Sequence, residues 1–378
     1  MRTDLRSHAR RRSRRHCRAA ALVLALAGAP GLGIAGDAGV LPAPSAARGL
    51  AIDPAAWASF KDRFVTREGR VVDTANGRIS HSEGQGYGLL FAAASGDRQT
   101  FERIWDWTRL ALMVRKDALF AWRWEPDVPV PVADPNNATD GDILIAWALV
   151  EAAERWPDGP FRNAARRIAE EIGGRLVLWD GAGGPLILPG LAGFGAGERS
   201  DGPVVNLSYW VFPAFARLAT VAPAFPWQRL EASGVDLVRR ARFGASRVPT
   251  DWIAMAGNRP RPADGFPAIL SYNAVRVPLY LAMAAQGERA LYEPFAAAWT
   301  DGGAAGLPIV DPLAGRASGR MGEPGYAAVG ALTSCIASGA RVPTSFSTPS
   351  PSENYYPAVL HILALSAARL TWPACLGR

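Results

Sequence analysis

From about residue 52 onward the apolar residues recur at helical spacing, and the helices they define are of two kinds that alternate along the chain. One kind is amphipathic. Residues 161–172 set Phe161, Ala164, Ala165, Ile168, Ala169 and Ile172 on one face, against Arg162, Arg166, Arg167, Glu170 and Glu171 on the other. Residues 98–114 and 228–242 read the same way. The other kind is apolar or small all round, at 84–95, 142–153, 205–219, 271–285 and 325–338. A helix apolar on every side must be enclosed by protein. Half-buried helices alternating with enclosed ones predict an all-α chain: a double-layered ring of helical hairpins, inner helix then outer. No βαβ rhythm competes, although short strands are expected around 120–135 and 176–189. Loops rich in Gly and Pro (181–203, 257–268, 302–324 and 340–353) separate the hairpins and are long enough to build a cleft at one end. Nothing splits the body, which reads as a single domain over residues 48–378.

The formal charge of +7 on 378 residues invites a nucleic-acid reading, but its distribution rejects one. Eight arginines within residues 1–18, set against Asp4, account for all of it, and the rest of the chain is formally neutral. The basic character belongs to a leader spanning 1–47. Its apolar run from Ala19 to Ala29 is too short to cross a bilayer comfortably, and Pro30 and the glycines that follow argue against an uncleaved anchor. A cleaved export signal is expected, with cleavage between Ala29 and Ala47 and Arg14-Arg15 as a candidate twin-arginine pair. The mature chain is then periplasmic or secreted, has no membrane span and is expected to be a monomer. It keeps two cysteines, Cys335 and Cys375, which either pair in an oxidising compartment or stay as two buried thiols. Only His81 and His361 remain, so a histidine-rich metal site is not expected, and neither metal nor cofactor is predicted.

Two segments carry chemistry. In Ala138-Thr139-Asp140-Gly141-Asp142, two carboxylates stand one residue apart at the mouth of a long apolar helix. One acid at a helix start is an ordinary cap. A second one there, if the next turns are buried, suggests carboxylates held in a cleft, as sugar hydrolysis requires. In Ser82-Glu83-Gly84-Gln85-Gly86-Tyr87-Gly88, three glycines alternate around an acid, an amide and an aromatic at the start of another enclosed helix. A phosphate loop is excluded because no strand precedes it and no Lys-Ser/Thr follows. Glu83 taken alone is equally an acid that complements the helix dipole.

The stretch ATDGDILIAWALVEAAERW at 138–156 resembles the signature of glycoside hydrolase family 8, and SEGQGYG at 82–88 resembles the segment holding that family's general acid. WASFKDRFVTREGRVVD at 57–73, WDWT at 105–108, AWRW at 121–124, NLSYW at 206–210, TDWI at 250–253 and SYNAVRV at 271–277 extend the likeness over roughly residues 52–370. It is nearest to the cellulases associated with bacterial cellulose synthesis. The resemblance implies an (α/α)6 barrel and an inverting, endo-acting attack on a β-1,4-glucan, with the cellulose synthase machinery as a candidate partner. By position, Glu83 would be the acid that protonates the departing oxygen, with a pKa raised by burial. Asp140 would hold and distort the sugar ring. Asp142 would brace Asp140 or the helix start, and Tyr209 would order the attacking water. Sugar rings stack on aromatic faces. Of the thirteen tryptophans, Trp124 is therefore the leading candidate for substrate, followed by Trp122 and Trp252, with Tyr355 and Tyr356 also in loops or at helix starts. Trp105, Trp147, Trp156 and Trp299 are assigned to the core.

One position departs from the family pattern. Where SYxAxRV ordinarily carries an aspartate as general base, this chain has Asn273. An amide positions a water but cannot accept its proton. The base has then moved, with Asp251 and Asp264 as candidates; or the enzyme works slowly on acid and positioned water; or the protein binds glucan without cutting it. Arg276, one turn further on, matches a family arginine that would orient whichever carboxylate serves. Relatives of the same fold acting on chitosan, mixed-linkage glucan or xylan supply the alternative substrates.

Overall fold

The computed structural model describes residues 49–300 and 306–376, so the leader and its cleavage region lie outside the described residues. Eleven α-helices occur among the described residues: α1 (Pro54–Phe64), α2 (Ser82–Ser95), α3 (Arg98–Leu112), α4 (Thr139–Arg155), α5 (Phe161–Glu171), α6 (Phe212–Leu218), α7 (Trp227–Arg240), α8 (Arg276–Met283), α9 (Glu293–Ala298), α10 (Pro324–Ser338) and α11 (Tyr355–Leu370). Local signals set their ends. Asp53 caps α1 by accepting from the Ala55 and Ala56 N–H groups, and Asp97 caps α3 through Thr100. α2 and α10 stop at Gly96 (φ 72°) and Gly339 (φ 81°), a left-handed conformation that glycine takes without steric cost.

The alternation read from the sequence is the architecture. α2 packs on α4, α4 on α6, α6 on α8, and α8 on α10 and α11, while α1, α3, α5, α7 and α9 lie outside them. All eight residues of α8 are buried. On outer α3 the buried positions are Thr100, Phe101, Ile104, Trp105, Thr108 and Leu112, the spacing of one helical face. The result is an (α/α)6 barrel with α2, α4, α6, α8, α10 and α11 as its inner ring. Between α10 and α11, where a sixth outer helix belongs, the chain makes only the one-turn 3-10 helix Thr344–Phe346. No helix among the described residues is long and apolar enough to cross a membrane.

Two inner helices begin later than periodicity predicts, each for a local reason. The stretch 205–219 opens as a 3-10 turn at Leu207–Tyr209, and α6 starts only at Phe212 because Pro213 has no N–H to give and fits only in a first turn. In 271–285, residues 271–274 form a turn held on Asp251, and α8 starts at Arg276. Short strands do fall in 120–135 and 176–189: β1 (Ser80–His81) pairs with β2 (Arg123–Trp124), and β3 (Val177–Leu178) with β4 (Leu186–Ile187). Two further sheets were not expected. β5 (Val204–Val205), β6 (Ile253–Ala256) and β7 (Arg259–Pro262) form an antiparallel sheet, and β8 (Leu307–Asp311) pairs with β9 (Arg316–Met321). Of these, β7, β8 and β9 occupy stretches that composition marks as Gly/Pro loops, while β5 and β6 lie just beside such loops, Val205 within the stretch expected to be helical. β9 is exposed from Arg316 to Arg320, so no buried face writes a two-residue period into the sequence.

Cys335 in α10 and Cys375 in the last turn are joined as a disulfide, with Cα atoms 5.8 Å apart. Of the two states open to them, the structure has the paired one. It ties the end of α11 back onto α10.

Candidate active site

The inner helices bring their N-terminal ends together, and the site is made of those ends. Glu83 is the second residue of α2, Asp140 the second of α4 and Arg276 the first of α8. Ser208 and Tyr209 lie just ahead of α6, and Tyr355 and Tyr356 open α11. Helix N-termini carry partial positive charge and unpaired N–H groups, so gathered together they favour an acidic cluster. The approach of α2 to α4 depends on the glycines of both motifs. A Cβ on Gly141 would collide with Ser82 Oγ and lie 2.7 Å from the Glu83 backbone nitrogen, and one on Gly86 would lie 2.5 Å from Leu144 Cβ. Gln85 turns away from the site: its amide accepts from Val71 N–H (2.6 Å) and donates to Thr108 Oγ1 (2.8 Å), tying the helix to the layer behind.

Arg276 is the hub. Its buried guanidinium donates to Glu83 Oε1, to Asp140 Oδ2 (2.8 Å), to Ser208 Oγ (2.8 Å) and to Asn273 Oδ1 (3.3 Å). Three residues distant in sequence are thereby fixed in one geometry. Burial pushes the Glu83 carboxyl up; Arg276 opposes this and Asp140 adds to it, and the balance leaves Glu83 above the usual carboxylate range. Tyr87 Oη donates to Glu83 Oε1 at 3.4 Å. Such an acid stays protonated to higher pH than a free glutamate, as proton donation to a leaving group requires.

Asp142 does something else. Its oxygens accept from Phe120 N–H (2.9 Å) and Asn137 Nδ2 (2.8 Å), so it braces the 120–137 segment against the start of α4 and makes no bond to Asp140. It is fully buried, and burial pushes its pKa up to about 7 against those two hydrogen bonds.

Asn273 sits beside the cluster, its Oδ1 on Arg276 and its Nδ2 3.5 Å from Asp251 Oδ2. Asp251 is buried and its acceptors are occupied: Ser271 N–H and Ala274 N–H bind Oδ1 at 2.9 Å each, and Ser271 Oγ binds Oδ2. It holds the turn that presents Asn273. Asp264 is not brought to the cluster. Its side chain is 65% exposed and pairs with Arg261 at 3.0 Å.

The aromatic candidates divide. Tyr209 is half-buried, with the Arg276 guanidinium 6.0 Å from its ring and Trp252 6.4 Å away. Trp252 is itself stacked with Phe266 (4.6 Å, 21°) and with Phe194 (5.6 Å, 6°), so both rings compete with a sugar for its faces. Trp124 has the Arg70 guanidinium 5.0 Å from its ring and Trp107 against it edge-on, and Trp122 donates its indole N–H to Asp134 (2.9 Å). Tyr356 donates to the Tyr272 carbonyl at 2.8 Å and lines an open pocket with Asp73, His81, Glu83, Tyr272, Asn273, Arg276, Glu323 and Tyr326. Of the tryptophans assigned to the core, Trp105, Trp147 and Trp299 are buried, and Trp156 packs against the core while partly exposed. Among the described residues, no cluster of three or more His, Cys, Asp or Glu side chains is placed to hold a metal ion.

Sequence reasoning missed Asp73 and His81. His81 Nδ1 lies 3.7 Å from Glu83 Oε2, and its Nε2 lies 3.6 Å from Asp73 Oδ2. The signal was present, since a histidine immediately precedes Ser82-Glu83, but histidine was weighed only as a metal ligand.

The model of the family "Glycosyl hydrolases family 8" matches residues 39–369. A probable endoglucanase of Novacetimonas hansenii is 38% identical over 316 residues, 82% of this chain and 89% of that protein. An endoglucanase of Cellulomonas uda is 40% identical over 227 residues, 60% of this chain and 62% of that one, so the match spans less than two thirds of that relative. Among solved structures, endoglucanase Cel10 of Klebsiella pneumoniae superposes with a TM-score of 0.75 at 34% identity, over 83% of this chain and 99% of that chain. The endo-beta-1,4-glucanase CMCax of Acetobacter xylinum gives 0.75 at 36%, over 84% and 97%. A helical barrel that gathers a buried acid, a second carboxylate and an arginine at one end is here the scaffold of a glycoside hydrolase. The chain belongs to glycosyl hydrolase family 8.

Proposed function

We propose that the chain is an exported endo-β-1,4-glucanase that hydrolyses cellulose-type glucan with inversion at the anomeric carbon and serves bacterial cellulose synthesis. The observation that carries the reading is the pairing of Glu83 and Asp140 on one guanidinium, with Glu83 facing the open pocket and raised above an ordinary carboxylate. In this mechanism Glu83 gives its proton to the glycosidic oxygen as the bond breaks. Asp140 accepts from sugar hydroxyls and steadies the distorted ring, with Arg276 holding both acids in register. Asn273 and Tyr209 position the attacking water on the opposite face of the sugar. The water's proton passes to solvent, since an amide cannot take it and Asp251 has its oxygens committed to Ser271 and Ala274. That makes the enzyme slow rather than inactive. Export rests on the basic, then apolar leader, and the link to cellulose synthesis on the resemblance of the motifs.

The experiment is reducing-end release from carboxymethylcellulose by the wild type and by Glu83→Gln. Release by the wild type and background levels from the variant are expected. Equal, background-level release from both proteins would favour the second reading, a glucan-binding protein, to which the neutral Asn273 points. Release from chitosan, mixed-linkage glucan or xylan in preference to cellulose would move the substrate within the same fold.

A further inference from the structure

Each time Glu83 gives its proton to a leaving group it is left as a carboxylate on Arg276, and it needs a proton before the next turnover. Arg276 cannot supply one, because a guanidinium is not deprotonated in proteins. Tyr87 donates a hydrogen bond to Glu83, but burial raises its phenol well above the ordinary value. One remaining neighbour exchanges protons near neutral pH, and it is His81, with Nδ1 3.7 Å from Glu83 Oε2.

We propose that His81, oriented by Asp73, is the positioning residue that returns the proton to Glu83 between turnovers. The proposal rests on the reading of Glu83 as the acid.

Three contacts fix the ring. Nδ1 accepts the Gly84 N–H at 3.0 Å, which makes His81 the N-cap of the helix that carries Glu83. The resting ring therefore has its proton on Nε2, facing Asp73 Oδ2 at 3.6 Å. Tyr355 stands edge-on to it, ring centroids 5.7 Å apart. The side chain is 15% exposed and lines the open pocket with Asp73 and Glu83, so water reaches it. The groups that bear on it are Asp73, Glu83, Asp140 and Tyr355, with Arg276 beyond Glu83; Arg123, its partner across β1 and β2, is turned to Glu125 at 3.1 Å. Burial pulls the imidazole down, but the Asp73 hydrogen bond and the charges of Glu83, Asp73 and Asp140 outweigh it and leave the ring above its ordinary value.

The step balances simply. A hydronium ion or buffer acid in the pocket protonates Nδ1, which releases the Gly84 N–H and gives an imidazolium paired with Asp73. The Nδ1–H proton then moves to Glu83 Oε2. The ring is neutral again, its Nδ1 lone pair returns to Gly84, and Glu83 is a carboxylic acid ready for the next glycosidic oxygen.

The test uses His81→Asn, because asparagine is a good N-cap and keeps an acceptor for Gly84 but cannot carry the proton. Turnover is compared on cellopentaose and on 2,4-dinitrophenyl β-cellobioside, whose leaving group departs without a proton and leaves Glu83 loaded. The expected result is a fall in kcat on cellopentaose of about 10- to 100-fold with KM unchanged, full turnover of the dinitrophenyl substrate, and a variant kcat that rises with imidazole-buffer concentration where the wild type does not. Wild-type kcat on cellopentaose, or an equal fall on both substrates, overturns the proposal by leaving His81 a cap alone. Glu83→Gln is the control: it should spare the dinitrophenyl substrate. If it loses both substrates equally, Glu83 is not the acid, and the reading beneath the proposal fails with it.

Discussion

Gly141→Ala tests the claim that glycine lets the two acid-bearing helix starts meet. On helix propensity alone, alanine would stabilise α4 by up to about 1 kcal/mol. The contact geometry reverses this. The new Cβ would meet Ser82 Oγ, which can rotate away because it has no hydrogen-bond partner among the described residues. It would also lie 2.7 Å from the Glu83 backbone nitrogen, which cannot move alone and is about 0.7 Å inside an ordinary contact. The start of α4 must shift away from α2 by that amount, and Asp140 and Glu83 cannot then both stay on Arg276. Overpacking of this kind costs about 1–3 kcal/mol, so a net loss of about 1 kcal/mol and a fall in Tm of about 2 °C are expected. Displacement of the reacting groups by most of an ångström should lower kcat by about 100-fold, equivalent to about 2.7 kcal/mol of barrier. Thermal unfolding and kcat on cellopentaose measure the two effects. A variant with higher Tm and unchanged kcat would refute the reasoning, since it would mean that the glycine is incidental.

The remaining predictions concern the base, the buried acid and the disulfide. Asn273→Asp places a carboxylate on Arg276 where a base is expected, and general-base catalysis predicts a rise in kcat of at least about 10-fold; unchanged or lower turnover in a folded variant would mean that another group already takes the proton. Asp142 has a folded pKa raised from 3.8 to about 7, so the native state holds a proton that the unfolded chain releases. Its contribution is fully present below pH 3.8 and is lost as pH rises to about 7, a fall of roughly 4 kcal/mol. Urea unfolding between pH 3.5 and 8 should show that fall in the wild type and a flatter profile in Asp142→Asn, and parallel profiles would remove Asp142 as the cause. The Cys335–Cys375 bond closes a separation of 40 residues, so the double serine variant should lose about 4 kcal/mol by loop entropy; an unchanged urea midpoint would show that the bond constrains nothing.

How far the sequence carried differs from element to element. The inner and outer helices were legible because enclosure on all sides and burial of one face leave different local patterns, as in α4 and α5. The late starts of α6 and α8 were not, because Pro213 and the Asp251-held turn act on single positions inside an otherwise helical run. The β8–β9 hairpin escaped because β9 is exposed from Arg316 to Arg320 and β8 buries the adjacent residues Leu307 and Pro308, so neither strand shows a hydrophobic alternation to read. In the site, Glu83, Asp140 and Arg276 were found from their motifs and do converge. Of the two roles expected of Asp142, the geometry has it bracing the helix start, through Phe120 and Asn137, and not Asp140. Trp252 looked like a free platform, and only the fold brings Phe194 and Phe266 onto it from elsewhere in the chain. His81 touches Glu83 from two residues away, a signal present in the sequence, but Asp73 reaches the site only through His81, a contact that no spacing rule encodes.

The central claim is that Glu83 protonates one side of the glycosidic bond while a water held by Asn273 attacks from the other. The configuration of the first product tests it directly. Proton NMR during cellopentaose hydrolysis, read before mutarotation equilibrates the anomers, should show the α-anomer of the new reducing end appearing first. Initial appearance of the β-anomer would contradict the account, because retention requires a carboxylate nucleophile where this chain has an amide.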